Sequence, residues 1–389
     1  MFEYFPGNYV WNLSVVATLN SGGLIDEVDR ACRPIRDAAA RGEDAGTGDF
    51  LAAWTALTDQ LCGAAEAALA AGHTATAGDL YFRATNYLCQ AERMQSASAP
   101  GRVAVYRRVL ELAELSFTYR DPQVSRVAIP YEGTTLPAYF SPAHSSTAPA
   151  TASGPAPVII LWNGLDSTKE HMYSSAHWAE LAARGISCLM VDCPGSGEAL
   201  RLQGLPARVD TEAWASACVD YLLTRSDVDP ARIGLAGWSL GGYYAPRAAA
   251  FEKRLALVVA WGANHNWGAV QRRRLEREGE RPVPHYWEHV LWVWGQPDLD
   301  TFIKFADQIH LDGVVSQISV PFLICHGAND RQIPLEYAHQ SYEQATASPR
   351  RELRIFTPDE GGAEHIGLDN LPYVSTYIAD WVSDVFRSV

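Results

Sequence analysis

Ser239 stands at the centre of Gly237-Trp238-Ser239-Leu240-Gly241, between the apolar run Arg232 to Ala236 and the helix-like stretch Gly242 to Ala249. A serine hydroxyl becomes a nucleophile when an adjacent base takes its proton and a carboxylate holds that base in the right tautomer. A strand that turns sharply into a helix presents such a serine at its tip in a strained conformation, provided small residues stand two positions to either side. Gly237 and Gly241 meet that need. The chemistry is acyl transfer, and it requires an acid and then a histidine further along the chain.

Both follow, at strand ends. Phe322 to Cys325 reads as a strand and runs into His326-Gly327-Ala328-Asn329-Asp330, and the strand ending at Phe356 runs into the glycine-rich loop Asp359 to His365. Asp330 and His365 are the expected acid and base. The stretch after Trp261 holds no carboxylate before Glu276, which favours Asp330 over an acid placed there. His326 precedes the acid and reads as a structural group.

A tetrahedral intermediate needs two N–H donors for its oxyanion. One is expected at Leu240 and the other in the loop Asn163 to Ser167, at the Leu165 amide. Gly164 lets that loop approach the substrate closely, and Ser167 reads as the N-cap of the next helix. Trp238 and Tyr243 are candidates for the pocket wall, and core packing is an equal reading of both.

The elements that position these residues alternate. Val158 to Trp162, Ile186 to Asp192, Ile233 to Ala236, Leu255 to Trp261, Phe322 to Cys325 and Glu352 to Phe356 read as strands. Helices are expected over Thr168 to Arg184, Arg208 to Thr224, Leu240 to Ala250, Leu335 to Ala345 and Leu371 to Phe386. Such alternation predicts an α/β fold, a mostly parallel sheet with helices on both faces. A hairpin precedes it, Ser125 to Tyr131 and Thr134 to Phe140 about Glu132-Gly133. Ser145 to Pro155 reads as a mobile surface loop.

Residues 1 to about 120 have helical spacing, over Leu24 to Arg41, Asp49 to Ala71, Thr76 to Met94 and Pro100 to Leu115, and form an expected helical accessory domain. The aromatic cluster Phe2, Tyr4, Phe5, Tyr9 and Trp11 ahead of them reads as core or interface. The α/β domain then runs over 121–389, with a helical lid insertion at about 263–318. Its aromatic residues Trp267, Tyr286, Trp287, Trp292 and Trp294 suggest flat or apolar substrates.

Other motifs are weaker. Asp192 to Glu198 reads as a turn and lacks the pattern of a phosphate loop. His285-Tyr286-Trp287-Glu288-His289 matches H-x-x-E-H, but it is short and follows Pro282 and Pro284, so a lid helix is expected there and no metal. Arg272-Arg273-Arg274 reads as a solvated charged stretch.

The chain has 389 residues, 48% hydrophobic and 20% charged, with a net charge of -14. An acidic balance argues against nucleic acid or an anionic membrane as partner. The absence of Lys or Arg before Arg30 argues against a secretory signal, so the cytoplasm is expected. Seven scattered cysteines, never in a C-x-x-C pair, read as reduced thiols.

Asn163 to Glu170, Asp192 to Glu198, Gly237 to Gly242, His326 to Asp330 and His365, with Ala70 to Met94 in the helical region, resemble α/β-hydrolases. The branch is the one holding dihydroxy-pseudo-oxynicotine hydrolase, the FrsA-like esterases and the fungal polyketide-shortening hydrolases. The resemblance implies hydrolysis of a carbon–carbon bond in a β-diketone or polyketide-like small molecule, aromatic or polyketide in character, without a cofactor and in a homodimer. It implies a site between the helical and sheet domains and transfers the triad to Ser239, Asp330 and His365. An assisting lid carboxylate maps onto no single position: Glu276, Glu278, Glu280 and Glu288 all qualify, with Glu288 carried as a substrate contact. The motifs themselves show only acyl transfer, so ester, thioester or amide hydrolysis, acyl transfer or cyclisation stay open, as does a non-catalytic binding role.

Overall fold

The computed structural model describes residues 1–41, 47–143, 154–277 and 281–388. Its sheet has eight strands: β1 Ser125–Tyr131, β2 Thr134–Ser141, β3 Ala156–Trp162, β4 Ser187–Val191, β5 Val228–Trp238, β6 Leu257–Trp261, β7 Phe322–Gly327 and β8 Arg351–Phe356. They lie in the order β1-β2-β4-β3-β5-β6-β7-β8. β1 pairs antiparallel with β2, and β2 with β4. From β4 to β8 every pairing is parallel. Glu132 and Gly133 both have positive φ, +40° and +80°, as a two-residue turn that follows the twist of its strands requires.

The alternation of a strand divides the apolar residues between two cores. Along β3, Val158, Ile160 and Trp162 pack on one face with Trp214 and Tyr244. Ile159 and Leu161 pack on the other with Trp261 and Trp381. Helices close both faces: α7 Lys169–Ser174, α8 His177–Ala183, α9 Gly197–Arg201, α10 Glu212–Leu223, α11 Gly241–Phe251, α15 Glu336–Gln344 and α16 Leu371–Arg387. Between β6 and β7 stand α12 Trp267–Glu276, α13 Tyr286–Trp294 and α14 Leu299–Ala306.

Ahead of the sheet come α1 Tyr9–Asn20, α2 Ile25–Cys32, α3 Arg36–Ala39, α4 Thr47–Ala70, α5 Thr74–Arg93 and α6 Arg102–Tyr119. They share a third core, with Phe5, Trp11, Trp54 and Tyr87 at its centre. Among the described residues no helix is long and apolar enough to cross a membrane.

Several expectations need correction. The helix expected over Thr168 to Arg184 is two helices, broken where Ala176 turns to φ +57°. The stretch Asp192 to Glu198, read as a turn, passes into a helix over Gly197–Arg201. Helix α1 was not foreseen, because Tyr9 to Val16 are all buried and leave no polar stripe to mark a helical period. Three of the five insertion aromatics do not offer their rings to a ligand: Trp267, Tyr286 and Trp294 are buried in the core with Tyr244, while Trp287 and Trp292 are half-buried against it. Arg274 is buried rather than solvated, with its guanidinium donating to the Tyr286 hydroxyl and the Gln332 carbonyl. The surface loop expected at Ser145 to Pro155 lies, over 145–153, outside the described residues.

Candidate active site

The turn at Ser239 is a tight fit of backbone on backbone. Ser239 has φ +58°, a region L residues seldom occupy. Its N–H is held by the Trp261 carbonyl at 2.8 Å. A Cβ on Gly237 would lie 2.2 Å from the Gly241 carbonyl oxygen, and one on Gly242 would lie 2.2 Å from that of Gly262. Small residues are required here because two chain segments occupy the space a side chain would fill.

Three distant residues meet at this tip. His365 Nε2 lies 2.9 Å from Ser239 Oγ, and its Nδ1 lies 2.8 Å from Asp330 Oδ2. The Asp330 side chain is fully buried, and its other oxygen accepts from the Gln332 and Ile333 amides. Burial pushes this carboxyl up, but His365, His326 and the Ile333 amide outweigh it and hold it at about 2, so it is ionised at neutral pH. His326 donates to the Ile333 carbonyl at 3.0 Å and braces the Asp330 turn.

The loop carrying His365 owes its shape to a residue that sequence reasoning passed over. Asp369 accepts from the Gly362, Ala363 and Glu364 amides at 2.8, 3.1 and 2.9 Å. Its donors stand five to seven residues earlier in the chain, outside the spacing of an Asx turn, so no local signal marks it.

Facing Ser239 is the loop after β3. A Cβ on Gly164 would lie 2.8 Å from Ser239 Cβ and 3.1 Å from its Oγ. Among the described residues the Leu240 and Leu165 amides donate to no protein acceptor. Ser167 is not the N-cap; Thr168 is, in a capping box with His171. Ser167 Oγ instead accepts from the Gly164 amide at 3.0 Å and from Trp238 Nε1 at 3.1 Å. The loop is then pinned from outside. Arg93 of α5 bonds Asp166 at 3.0 and 2.6 Å, and His289 of α13 donates from Nε2 to the Leu165 carbonyl at 3.0 Å. Burial and the nearby Arg102 push His289 down to about 4, so the neutral ring is the donor.

Because Gly164 and Ser239 are in such close approach, Gly164→Ala is expected to displace one of them and to lower kcat/KM by about 100-fold. Little loss of stability should accompany it. Steady-state kinetics on an aryl ester, beside a thermal melt, measures both.

An open-mouthed cavity begins at Ser239 and His365. Gly164, Asp166, Ser167 and Trp238 line it from the sheet side, and Leu13, Asn86, Gln90 and Arg93 from α1 and α5. Tyr243 is not in its wall: the side chain is buried in the core, its hydroxyl donating to the Val209 carbonyl at 3.3 Å. Nor is Glu288, which accepts from Ser96 Oγ and the Ser98 amide at 2.6 and 3.0 Å. Glu276 ends α12 at the surface, and Glu278 and Glu280 lie outside the described residues.

Beneath the loop lies a buried ionic cluster. Lys169 Nζ is 2.8 Å from Glu170, 3.0 Å from Asp192 and 2.9 Å from Glu198. Asp192 also accepts from the Lys169 amide, the Glu198 amide and Asn163 Nδ2. Since Asn163 begins the loop that faces Ser239, the cluster ties that loop to the sheet.

Comparison with known proteins agrees with this geometry. The sequence pattern of the alpha/beta hydrolase family matches residues 159–370. The chain is 28% identical over 346 residues to 2,6-dihydropseudooxynicotine hydrolase of Paenarthrobacter nicotinovorans, covering 85% of this chain and 83% of that one. It is 30% identical over 377 residues to hydrolase acrC of Aspergillus aculeatus, covering 85% and 84%. The crystal structure of 2,6-dihydroxy-pseudo-oxynicotine hydrolase superposes with a TM-score of 0.74 at 25% identity, over 96% of each chain. With the family pattern spanning more than half of its length and the fold shared from end to end, the protein belongs to the alpha/beta hydrolase family and is an enzyme.

Proposed function

We propose that the protein is a serine hydrolase that cleaves a carbon–carbon bond flanked by carbonyls in a β-diketone or polyketide-like small molecule. The observation that carries this reading is the unbroken relay Ser239–His365–Asp330, at 2.9 and 2.8 Å, opening into the cavity between the sheet and the helical region. The whole-length likeness to 2,6-dihydroxy-pseudo-oxynicotine hydrolase supports the choice of substrate class. Action in the cytoplasm as a homodimer, with residues 1–120 as accessory domain, 121–389 as catalytic domain and 263–318 as insertion, belongs to the same proposal.

In the first step Ser239 Oγ gives its proton to His365 Nε2 and attacks a ketone carbon, while Asp330 holds the Nδ1–H and stabilises the imidazolium. The Leu240 and Leu165 amides receive the oxyanion. The tetrahedral intermediate collapses with cleavage of the carbon–carbon bond, and the electron pair leaves as an enolate stabilised by its own carbonyl and protonated by His365. Water, deprotonated by His365, attacks the acyl-enzyme and releases the carboxylic acid and Ser239.

The test compares rates on a β-diketone with rates on simple aryl esters, with mass spectrometry of the products. Preferential diketone cleavage into a ketone and a carboxylic acid is expected. Fast ester cleavage with no diketone activity would reject the carbon–carbon reading and leave an esterase.

A further inference from the structure

Leu165 lies outside any helix or strand and next to a glycine, so its amide has no regular structure to fix its direction. A peptide unit is planar, and one hydrogen bond therefore orients the whole unit. The Gly164 N–H, on the peptide joining 163 and 164, is held by Ser167 Oγ at 3.0 Å. The Leu165 carbonyl, on the peptide joining 165 and 166, is held by His289 Nε2 at 3.0 Å. The peptide that carries the Leu165 N–H lies between these two held planes. One residue further on, Arg93 Nε and Nη2 converge on Asp166 Oδ2 at 3.0 and 2.6 Å.

Both outside groups are themselves held. Arg93 donates from Nη1 to Ser14 Oγ of α1 at 2.8 Å and from Nη2 to the Pro282 carbonyl of the insertion at 3.2 Å. Beside it on α5, the buried Glu92 accepts from Arg201 of α9 at 2.7 and 2.8 Å and from Arg102 of α6 at 2.7 Å. His289 is the last residue of the H-x-x-E-H stretch, and Glu288 before it ties α13 to Ser96 and Ser98. The Arg102 and Arg201 guanidiniums lie 5.0 and 5.8 Å from the Trp292 ring on the same helix. The stretch thus docks α13 and leaves its last histidine on the loop.

We propose that Arg93 and His289 are positioning residues of the oxyanion hole. From the helical region and from the insertion, they hold the 165–166 segment so that the Leu165 N–H points at the oxyanion. They act through Asp166 and Leu165, so their loss slows the chemical step and leaves substrate binding intact. The inference rests on the Ser239 mechanism given above.

The substrate probe is 4-nitrophenyl butyrate. The transition-state probe is 2,2,2-trifluoroacetophenone, with acetophenone as its ground-state control. With the trifluoroketone, Ser239 Oγ bonds to the carbonyl carbon, its proton passes to His365 Nε2, and the carbonyl π electrons become the oxyanion; acetophenone binds as the free ketone. Arg93→Met is expected to lower kcat about 30-fold with KM within about twofold, less than the roughly 10²- to 10³-fold of deleting a donor, because the amide is misdirected rather than removed. Affinity for the trifluoroketone should fall by the same factor as kcat, and affinity for acetophenone should not fall. His289→Leu is expected to cost about tenfold in kcat. His289→Gln should restore most of it, since a glutamine amide can donate to the Leu165 carbonyl. Arg93→Met combined with Asp166→Ala should be no slower than the slower single variant, because both break one link.

Wild-type kcat in folded Arg93→Met and His289→Leu, or equal loss of affinity for both ketones, would overturn the proposal. So would a His289→Gln variant as slow as His289→Leu, the comparison that stands even where Arg93→Met does not fold. Labelling of Ser239 by a fluorophosphonate, read by mass spectrometry, tests the nucleophile separately. Absence of the label rejects the serine reading, whereas a labelled serine with unchanged kcat in these variants rejects the positioning role alone.

Discussion

Ser239→Ala is expected to lower kcat by about 10⁴- to 10⁶-fold while leaving the fold intact. In the proposed mechanism the Ser239 hydroxyl, 2.9 Å from His365 Nε2, is the nucleophile, and water held in its place lacks both its orientation and its effective concentration. The cysteines offer no substitute, since all except the half-buried Cys62 are buried and Cys325 lies within β7. The substitution deletes one oxygen and leaves the Ser239 amide on the Trp261 carbonyl, so the unfolding midpoint should hardly move. His365→Ala should cost a similar amount, and the double variant little more, because residues that act as one relay are not additive. Burst-phase and steady-state kinetics with an aryl ester, beside a thermal melt, measure these effects. Wild-type turnover in the alanine variant would sink the mechanism.

The second large effect is on stability. Lys169→Met is expected to destabilise the protein by about 3–5 kcal/mol, because removing one partner of a buried ion cluster leaves the other charges uncompensated. Lys169 is fully buried, as are Glu170 and Asp192, and Glu198 is 9% exposed. Arg126 reaches Glu198 from the half-exposed side at 2.5 Å, but among the described residues Lys169 is the cation within ion-pair distance of Glu170 and Asp192. The Tyr106 and Tyr139 hydroxyls still donate to Glu170, at 3.0 and 2.7 Å, which limits the loss without replacing the charge. Adding Glu170→Gln to Lys169→Met should recover part of the stability by removing one stranded carboxylate. Urea unfolding of the three proteins measures this. A single variant within about 1 kcal/mol of wild type, the range of an ordinary surface change, would show that the cluster is not needed for folding.

The two experiments bear on parts of the molecule that differ in how visible they are in the sequence. Ser239, Asp330 and His365 are far apart in the chain, yet each announces itself locally: a glycine-flanked serine between strand and helix, and an acid and a histidine just after apolar strands. Such signals are legible because strand ends and sharp turns are made by neighbours in sequence. The parallel sheet was legible for the same reason.

The elements that complete the cavity were not. Arg93 and Asp166 are 73 residues apart, and Tyr9 and Gln332, which hydrogen-bond at 3.1 Å, are 323 apart. Neither pair has a spacing that predicts it. Glu288 and the insertion aromatics stood out by residue type. The docking of α13 turned Glu288 toward Ser96 and Ser98, and buried Trp267 and Trp294 in the core.

By itself, the sequence determined the alternation of strands and helices, the turn that strains Ser239, and the strand ends at which Asp330 and His365 follow it. Periodicity and turn chemistry are set over a few residues, and the chain states them directly. Only the tertiary structure decided that α1 and α5 form the opposite wall of the cavity and that Lys169 sits among three carboxylates. Those contacts depend on which helix faces dock once all the apolar surface is buried together, and no local spacing encodes that choice.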